Sequence, residues 1–486
     1  QFVLLTGGPA DAVAHHHAMR ATLDWSYDLL DGPGRSLFRR LSVFRGGFTL
    51  ETAERFHARF PGAEGNALQC VGHLVDASML ERSPGDDRLT MLEPIRQYGM
   101  TLLPEYDEEE AVRNCHALIY REMFRIPDDQ LYGPAPGRQI ETLFLLEIVN
   151  VRAALNRAVE SEDSATVAEL GSVALILFAG IGSLAESKSW LDRVLSATSE
   201  ASSSRARALA RGVFVSAVID GPHGAGALMD ELESTAEELD DDRWRAVCVE
   251  RRALLALWRD DLVTASTLWD EAAERLQKLD SPALWLALSN HMEALYYSAD
   301  YDKAEELADE LADLGTCLDM PEIVAGSLHG KSFIAVYRGD AGDAERCLHE
   351  ADRFVGADGP FDGISRLDSY GSQLLPAFIA LLRGDVDDAE RLGSAVMSDA
   401  RRSRHPDSFV RGLVLMGLVH LERREFRTAH RYLAEGISEG LRLQMRHWQR
   451  FVLGPIAATM AMIDPPTGAT LLAAVESIDR RDGRKP

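Results

Sequence analysis

The sequence has few cysteines, no long hydrophobic run and less basic than acidic charge, and each shortage excludes a class of protein. The five cysteines include no CxxC pair, so the sequence predicts neither a disulfide framework nor a metal site. The longest apolar run, residues 173–181, is far shorter than the ~20 residues that span a bilayer. No segment resembles a secretory leader. We therefore expect a cytoplasmic protein without a membrane partner.

The acidic balance of the chain also limits its partners. The formal net charge is −26, and a nucleic-acid binder needs a basic face to neutralise phosphates. We therefore expect no direct DNA contact. One arginine-rich stretch, residues 399–450, departs from this balance and includes Arg423 and Arg427. Two interpretations stay open: these arginines pair with acidic neighbours on a solvated helix face, or they form a docking patch for a partner.

A small residue recurs about every forty positions in the second part of the chain. The recurring residues are Ala225, Ala265, Ala304, Ala344, Ala389, Ala429 and Ala469. Twelve positions before five of them lies a second small residue: Ala253, Ser332, Ala377, Gly417 and Ala457. Two small residues at this spacing predict a close crossing of two helices, and Gly or Asp in the turn between them favours unusual backbone angles and helix capping. A period in this range is typical of a helical solenoid.

The twelve-residue spacing resembles that of the tetratricopeptide repeat (TPR), although the period is longer and Val213 and Met292 break the small-residue rule. We therefore predict a TPR-like repeat domain over residues 164–486, built from seven or eight helical hairpins. Its tryptophans are candidate partner-binding residues if they line a groove, and core residues otherwise. The candidates are Trp244, Trp258 and Trp285.

The first hundred residues follow a different pattern. Apolar periodicity predicts helices over residues 20–30, 35–44, 48–56 and 66–80, the third of them capped by Thr49. Residues 80–91 predict a hairpin around Pro84, and a final helix begins near Glu93. This order predicts a winged-helix domain over residues 15–105. Its candidate recognition helix, residues 66–77, contains no Lys or Arg, which favours packing between domains over base reading.

Five strings carry a resemblance to a known family: LLTGG (4–8), RATLDWSYDLL (20–30), LFRRLSVFRGGFTLE (37–51), MLEPIRQY (91–98) and EIVNVRAAL (147–155). They resemble the bacterial STAND-type ATPases, which include LuxR-type and AfsR-like transcriptional regulators, over roughly residues 1–195. The resemblance implies an all-α chain in which residues 1–14 end a nucleotide-binding module, residues 106–163 are connecting helices, and TPR-like repeats follow. The chain begins with Gln, so we expect a fragment; ATP or ADP would bind the full-length protein, and no cofactor is expected in this chain.

The resemblance also implies residues that face the nucleotide module. In related switch proteins a Met-His-Asp motif touches bound ADP, and the matching positions are Met91, Leu92 and Glu93. The aliphatic Leu92 cannot hydrogen-bond a phosphate. His16 could face the same module or belong to a solvated cluster of three histidines, residues 15–17.

No catalytic constellation is evident, so we expect no enzyme. Residues 325–332 fit a loose P-loop pattern but fall inside a predicted repeat helix. Cys115 and His116 are adjacent and cannot face each other on a helix, which predicts a buried Cys beside a surface His. The acidic runs predict solvated faces rather than a cation site. We interpret the chain as the sensor and switch-transmission half of a STAND-type regulator, whose repeats bind an inducer or protein partner. The alternative is a constitutive TPR scaffold.

Overall fold

The computed structural model describes residues 10–60, 67–83, 87–126, 138–180, 183–355, 372–403, 406–442 and 447–481. The contacts between residues divide the chain into two compact units. The first unit comprises Gln1–Arg125 and Thr142–Gly171, and the second comprises Ile126–Glu141 and Ser172–Pro486. The predicted all-α class is confirmed, since the strands of the described residues form a single small sheet. The predicted domain boundaries stay a prediction.

The first unit combines short helices with an antiparallel sheet. Its elements are α1 (Ala10–Asp28), α2 (Gly32–Leu41), β1 (Phe48–Thr49), α3 (Leu50–His57), α4 (Ala67–Asp76), β2 (Glu81–Arg82), β3 (Arg88–Thr90), α5 (Glu93–Leu102), α6 (Glu109–Met123) and most of α7 (Arg138–Glu160). The strands lie in the order β1-β3-β2. The two strands of the predicted hairpin are thus paired, with Arg82 opposite Leu89. Pro84 and the predicted turn lie outside the described residues.

One predicted helix of this unit begins later than expected. The pattern placed residues 48–56 in a helix, but Phe48 pairs with Leu89 in the sheet. Thr49 has extended backbone angles and its hydroxyl accepts the N–H of Thr52, as the cap prediction required. The cap residue therefore also ends a strand, which explains why β1 is missed when the sequence is read for helices alone.

The second unit is a succession of helix pairs. Its helices are α8 (Ser164–Gly180), whose residues up to Gly171 belong to the first unit, α9 (Leu184–Ala197), α10 (Ser203–Asp220), α11 (Gly226–Leu239), α12 (Asp242–Trp258), α13 (Leu262–Lys278), α14 (Leu284–Tyr297), α15 (Tyr301–Cys317), α16 (Pro321–Arg338), α17 (Ala341–Val355), α18 (Leu375–Leu382), α19 (Val386–Ser403), α20 (Pro406–Glu422), α21 (Phe426–Arg442), α22 (His447–Ile463) and α23 (Pro465–Arg481). The described residues thus form eight consecutive pairs. The predicted helical solenoid is confirmed.

The turn inside five successive pairs has one geometry. The residue five positions before the recurring alanine has a positive φ, and it is Asp260, Ala299, Gly339, Gly384 or Arg424. The backbone N–H of the following residue donates to the carbonyl oxygen five positions earlier in the sequence, for example Asp385 N to Ala380 O at 2.9 Å. Asp261, Asp340 and Asp385 cap the second helix by accepting a backbone N–H. The turn prediction made from Gly and Asp is confirmed.

The small residues lie at close helix crossings, as predicted. Ser332 and Ala344 are fully buried, and the Ser332 hydroxyl donates to the Ala344 carbonyl at 2.8 Å. The prediction for Ala469 is wrong, because that residue is exposed and the neighbouring Gly468 is buried instead. A Cβ atom built at Gly468 would lie 2.3 Å from the backbone of Ala461. The last pair therefore crosses one position earlier than the period requires.

The first helices of the pairs form an inner layer. From α10 to α22 each first helix contacts the first helix of the next pair, and each second helix lies against the following first helix. The described row also curls back on itself, because α10 contacts α20. The helices α10 and α12 have buried residues on every face, as expected for helices with little access to solvent.

Candidate functional site

A cluster of polar side chains lies within this inner layer. Glu250 and Arg251 on α12 are almost completely buried, each with a side chain 2% exposed. Asn290 on α14 donates to Glu250 Oε1 at 2.8 Å. Arg251 Nε lies 3.1 Å from Glu250 Oε2. The Nε–H of Arg251 is not directed at Glu250 Oε2, however, so this ion pair contains no hydrogen bond between the two atoms. Three buried atoms therefore lack a hydrogen-bond partner within the described part of the chain: Nε and Nη2 of Arg251 and Oε2 of Glu250.

The cluster continues across the interior through an ion pair. Glu293 lies on α14 one turn after Asn290 and accepts from Arg411 Nη2 on α20 at 2.6 Å. The two side chains are 29% and 14% exposed, so water reaches this end of the cluster. Val410, next to Arg411, is fully buried in the hydrophobic core that includes α10, α12 and α14. The inner surface of these pairs is therefore closed by side chains from α20.

An aromatic row follows the ion pair along the same layer. Tyr296 on α14 stacks on Phe333 and Tyr337 of α16, with ring centroids 6.1 and 5.9 Å apart. Tyr337 stacks in turn on Tyr301 and is 37% exposed. Polar hydrogen-bonding groups and a partly exposed aromatic surface thus lie side by side. This combination is typical of ligand sites in proteins.

The tryptophans predicted as partner-binding residues lie mostly in the core. Trp244 and Trp258 are 4% and 8% exposed and belong to the main hydrophobic cluster. Their burial favours the alternative of core packing. Trp285 is half-buried at the edge of the same cluster, and its Nε1 lacks a hydrogen-bond partner among the described residues. Of the three tryptophans it is the least enclosed.

The two predicted arginines differ in their surroundings. Arg423 forms ion pairs with Asp387 and Glu390 of α19, and these carboxylates raise its pKa. This pairing is what the solvated-face interpretation requires. Arg427 is exposed on α21. The docking prediction stays a prediction for both.

The residues predicted to face a nucleotide module lie at the start of α5. Met91 is half-buried, and Leu92 is 50% exposed at the N-cap position without a side-chain hydrogen bond. Glu93 accepts two hydrogen bonds from Arg96, which lower the pKa of the Glu93 carboxyl to about 2. His16 lies in α1, and its side chain is outside the described positions. Glu93 is thus held by Arg96, and the exposed Leu92 offers only apolar surface.

A buried polar junction in the first unit escaped the sequence analysis. Glu147 on α7 accepts from Arg88 on β3 and from the Tyr120 hydroxyl on α6. Asn150, one turn later, accepts the backbone N–H of Arg45 at 2.8 Å and donates to the Gly47 carbonyl at 2.9 Å. The junction thus fastens α7 to the sheet and to the turn before it. Glu147 and Asn150 belong to the string EIVNVRAAL, and the resemblance of this string to the STAND-type family is the feature of the sequence that could have identified them.

The apparent catalytic motifs have structural roles. Residues 325–332 lie within α16, as predicted, and a Cβ at Gly330 would lie 2.4 Å from Met292. Gly330 therefore makes room for the large residue that breaks the small-residue rule. The prediction of a surface His116 is wrong: His116 is fully buried with its ring edge against Phe44, and Cys115 is half-buried. Burial lowers the pKa of His116 to about 3.

The described residues contain neither a metal-binding cluster nor a membrane-spanning helix. No cluster of three or more His, Cys, Asp or Glu side chains there has the arrangement to hold a metal ion. Within the same residues no helix combines the length and the apolar character needed to cross a membrane. Neither result bears on the polar cluster around Arg251.

Sequence comparison relates part of the chain to mycobacterial proteins. An uncharacterized protein of Mycobacterium tuberculosis is 36% identical over 140 residues, which is 28% of this chain and 35% of that protein. A protein of the same species described as an HTH-type transcriptional regulator is 30% identical over 198 residues, 40% of this chain and 22% of its own length. The chain thus spans about a third or less of these relatives. No protein-family model matches it.

Structural comparison finds two solved proteins that resemble this chain. A Rap protein, solved in complex with Competence and Sporulation Factor, matches with a TM-score of 0.53 and 11% identity, covering 77% of this chain and 98% of the Rap chain. A STAND protein with a tetratricopeptide repeat sensor from Pyrococcus horikoshii matches with a TM-score of 0.47 and 14% identity, covering 94% and 64% of the two chains. The Rap match shows a shared fold.

Proposed function

We propose that this chain is the sensor and switch-transmission part of a STAND-type transcriptional regulator. In this proposal the second unit binds an inducer or a protein partner through its inner layer. The first unit, interpreted as a winged helix, couples that binding to a nucleotide-binding module that precedes it in the full-length protein. ATP or ADP would belong to that module. The chain itself would catalyse no reaction and act in the cytoplasm.

The observation that supports a sensor most is the polar cluster in the inner layer. A repeat protein that only assembles partners needs surface side chains, whereas Glu250 and Arg251 keep charges inside the fold at a cost in stability. The partial similarity to a regulator supports the transcriptional output. The junction at Glu147 supports transmission, because it holds α7 and β3 as one piece.

A coupling of this kind requires two arrangements that the ligand binds with different affinity. The ion pair between Arg411 and Glu293 closes the inner surface in the structure. In an open arrangement this pair would separate and expose the polar cluster. The closed arrangement would then be the resting state of the sensor.

The rival proposal, a constitutive scaffold, makes a different prediction for the full-length protein. We expect the gene to encode a GxxxxGK[ST] loop upstream, and we expect nucleotide exchange by the full-length protein to change when Glu293→Gln and Arg411→Gln open the inner layer. The matched control is Glu439→Gln on α21, whose ion pair with Arg442 lies within one helix. A gene without such a loop, or an exchange rate that the paired substitution leaves unchanged, favours the scaffold.

A further inference from the structure

We propose that Arg251, Glu250 and Asn290 form a binding site for backbone amide groups, supplied by a peptide chain that enters the inner layer of the second unit. The proposal rests on the sensor function and specifies the chemistry of the ligand. It identifies one point of contact within the fold. It also identifies the surface beside it that a side chain of the peptide would occupy.

The cluster contains hydrogen-bonding groups that the described residues leave unused. Nε and Nη2 of Arg251 are two donors without an acceptor, and Oε2 of Glu250 is one acceptor without a donor, among the described residues. Buried polar groups are almost always hydrogen-bonded in folded proteins, and leaving a charged group unpaired is costly. A ligand that supplies acceptor and donor atoms together would satisfy this cluster.

The unused donors of Arg251 and the unused acceptor of Glu250 are complemented by the backbone of a peptide. A residue of an extended peptide directs its own N–H and its own carbonyl oxygen to the same side of the backbone, and that oxygen has two lone pairs. The carbonyl would accept from Arg251, and the N–H would donate to Glu250. A simple anion is a poorer fit, because the Glu250 carboxylate lies 3.1 Å from the guanidinium and would repel it. Asn290 fixes Glu250 through its other oxygen.

The polar cluster and the partly exposed aromatic row each have a residue on α14. Asn290, Glu293 and Tyr296 follow each other at intervals of one turn along α14, so the polar cluster, the ion pair and the aromatic row share one stripe of that helix. The partly exposed Tyr337 offers an apolar surface for a side chain of the bound peptide. An ordered water molecule would satisfy the polar groups but would not cover the apolar surface of Tyr337.

The test uses the whole chain and a mixture of capped hexapeptides of random sequence as the probe. Peptides that remain with the protein after gel filtration are identified by mass spectrometry, and the most enriched one is measured by fluorescence anisotropy. We expect Arg251→Met to weaken its binding at least about tenfold, as for the loss of a hydrogen bond to a charged group. The matched control is Arg252→Met, since Arg252 is 57% exposed and pairs with Glu233 on the surface.

Folding is monitored by thermal unfolding of each variant. Arg251→Met leaves the Glu250 carboxylate buried without its ion-pair partner, so we expect a lower melting temperature, and binding is compared at a temperature at which every variant is folded. Glu250→Gln is the second variant, which keeps the shape of the side chain. N-methylation of successive peptide bonds in the enriched peptide should abolish binding at one position, where the N–H meets Glu250.

The other outcomes separate the two proposals. If peptides bind equally to wild type and to Arg251→Met, the amide site is wrong while the sensor function stands. If no peptide is retained but small molecules bearing a carboxamide group raise the melting temperature, the peptide source is wrong and the sensor function stands. If neither class binds and a crystal structure shows only ordered water at Arg251, the amide site is wrong, and the sensor function loses its main support.

Discussion

Arg411 and Glu293 are separated by 118 positions in the sequence and form an ion pair of 2.6 Å between Nη2 and Oε1. Within the described inner layer the pair joins α14 to α20, two first helices whose own pairs are not adjacent in the chain. Helical repeats are generally held together by contacts between neighbouring repeats. The pair therefore adds a long-range constraint to a fold that is otherwise built from local contacts.

We expect the Arg411–Glu293 pair to contribute measurably to stability because both side chains are largely buried. Glu293→Gln and Arg411→Gln should each lower the free energy of unfolding, with a coupling energy on the order of 1–2 kcal/mol in a double-mutant cycle. Urea unfolding measures this energy. Exchanging the charges, with Glu293→Arg and Arg411→Glu together, should restore part of the loss. A coupling energy near zero would show that the pair does not hold α20 in place.

The turn geometry predicts opposite effects for one type of substitution. Gly384→Ala should destabilise the protein by about 1 kcal/mol, because φ is +80° at Gly384 and an alanine is strained there. Gly326→Ala, inside α16 with open space around its Cβ position, should stabilise by a similar amount. Thermal unfolding of both variants checks the signs. Destabilisation of similar size at both positions would mean that packing, rather than the backbone, determines the effect.

The buried junction of the first unit predicts a large loss for a conservative change. Glu147→Gln leaves Arg88 facing an uncharged group inside the protein, and we expect a loss of about 3 kcal/mol. Glu160→Gln is the matched control on the same helix, since its side chain is 58% exposed. Chemical unfolding measures both. Equal, small effects would show that the ion pair contributes no more than a surface pair.

The buried His116 predicts destabilisation by acid. Its pKa of about 3 in the folded protein lies below the ordinary value of 6.5, so the unfolded state binds the proton first as the pH falls. The stability from its burial is complete above pH 6.5 and declines between pH 6.5 and about 3. His116→Phe should reduce the loss of stability between pH 7 and 5 by on the order of 2 kcal/mol.

Urea titrations at the two pH values measure the effect of His116. The control is His73→Phe, because His73 is exposed on α4. An identical pH dependence for wild type and His116→Phe would show that the imidazole takes up its proton in the folded state.

The sequence predicts the local features of this chain well. Thr49 as a cap, the pairing of β2 with β3 and the crossing of Ser332 with Ala344 each follow from residues within about a dozen positions of one another. Such features depend on short-range backbone geometry, and the sequence contains the residues that specify them. The failure at Ala469 is a shift of a single position in the last pair.

The candidate site could not be predicted in the same way. The closeness of Glu293 and Arg411 depends on how several small rotations between repeats add up to a curl, and no spacing in the sequence reports their sum. A weaker signal was available. Arg251 and Asn290 both lie two positions before the crossing residue of their helix, so they occupy the same position in consecutive repeats.

The contact between α10 and α20 changes how the repeats come apart. An open solenoid frays from either end, because each terminal repeat is held by one neighbour only. Here the segment from α10 to α20 is joined at both ends, so opening any pair within it also strains that contact. Hydrogen exchange should therefore report one cooperative block between these helices. Within the second unit, early loss of protection should be confined to α21–α23 and to α8 and α9.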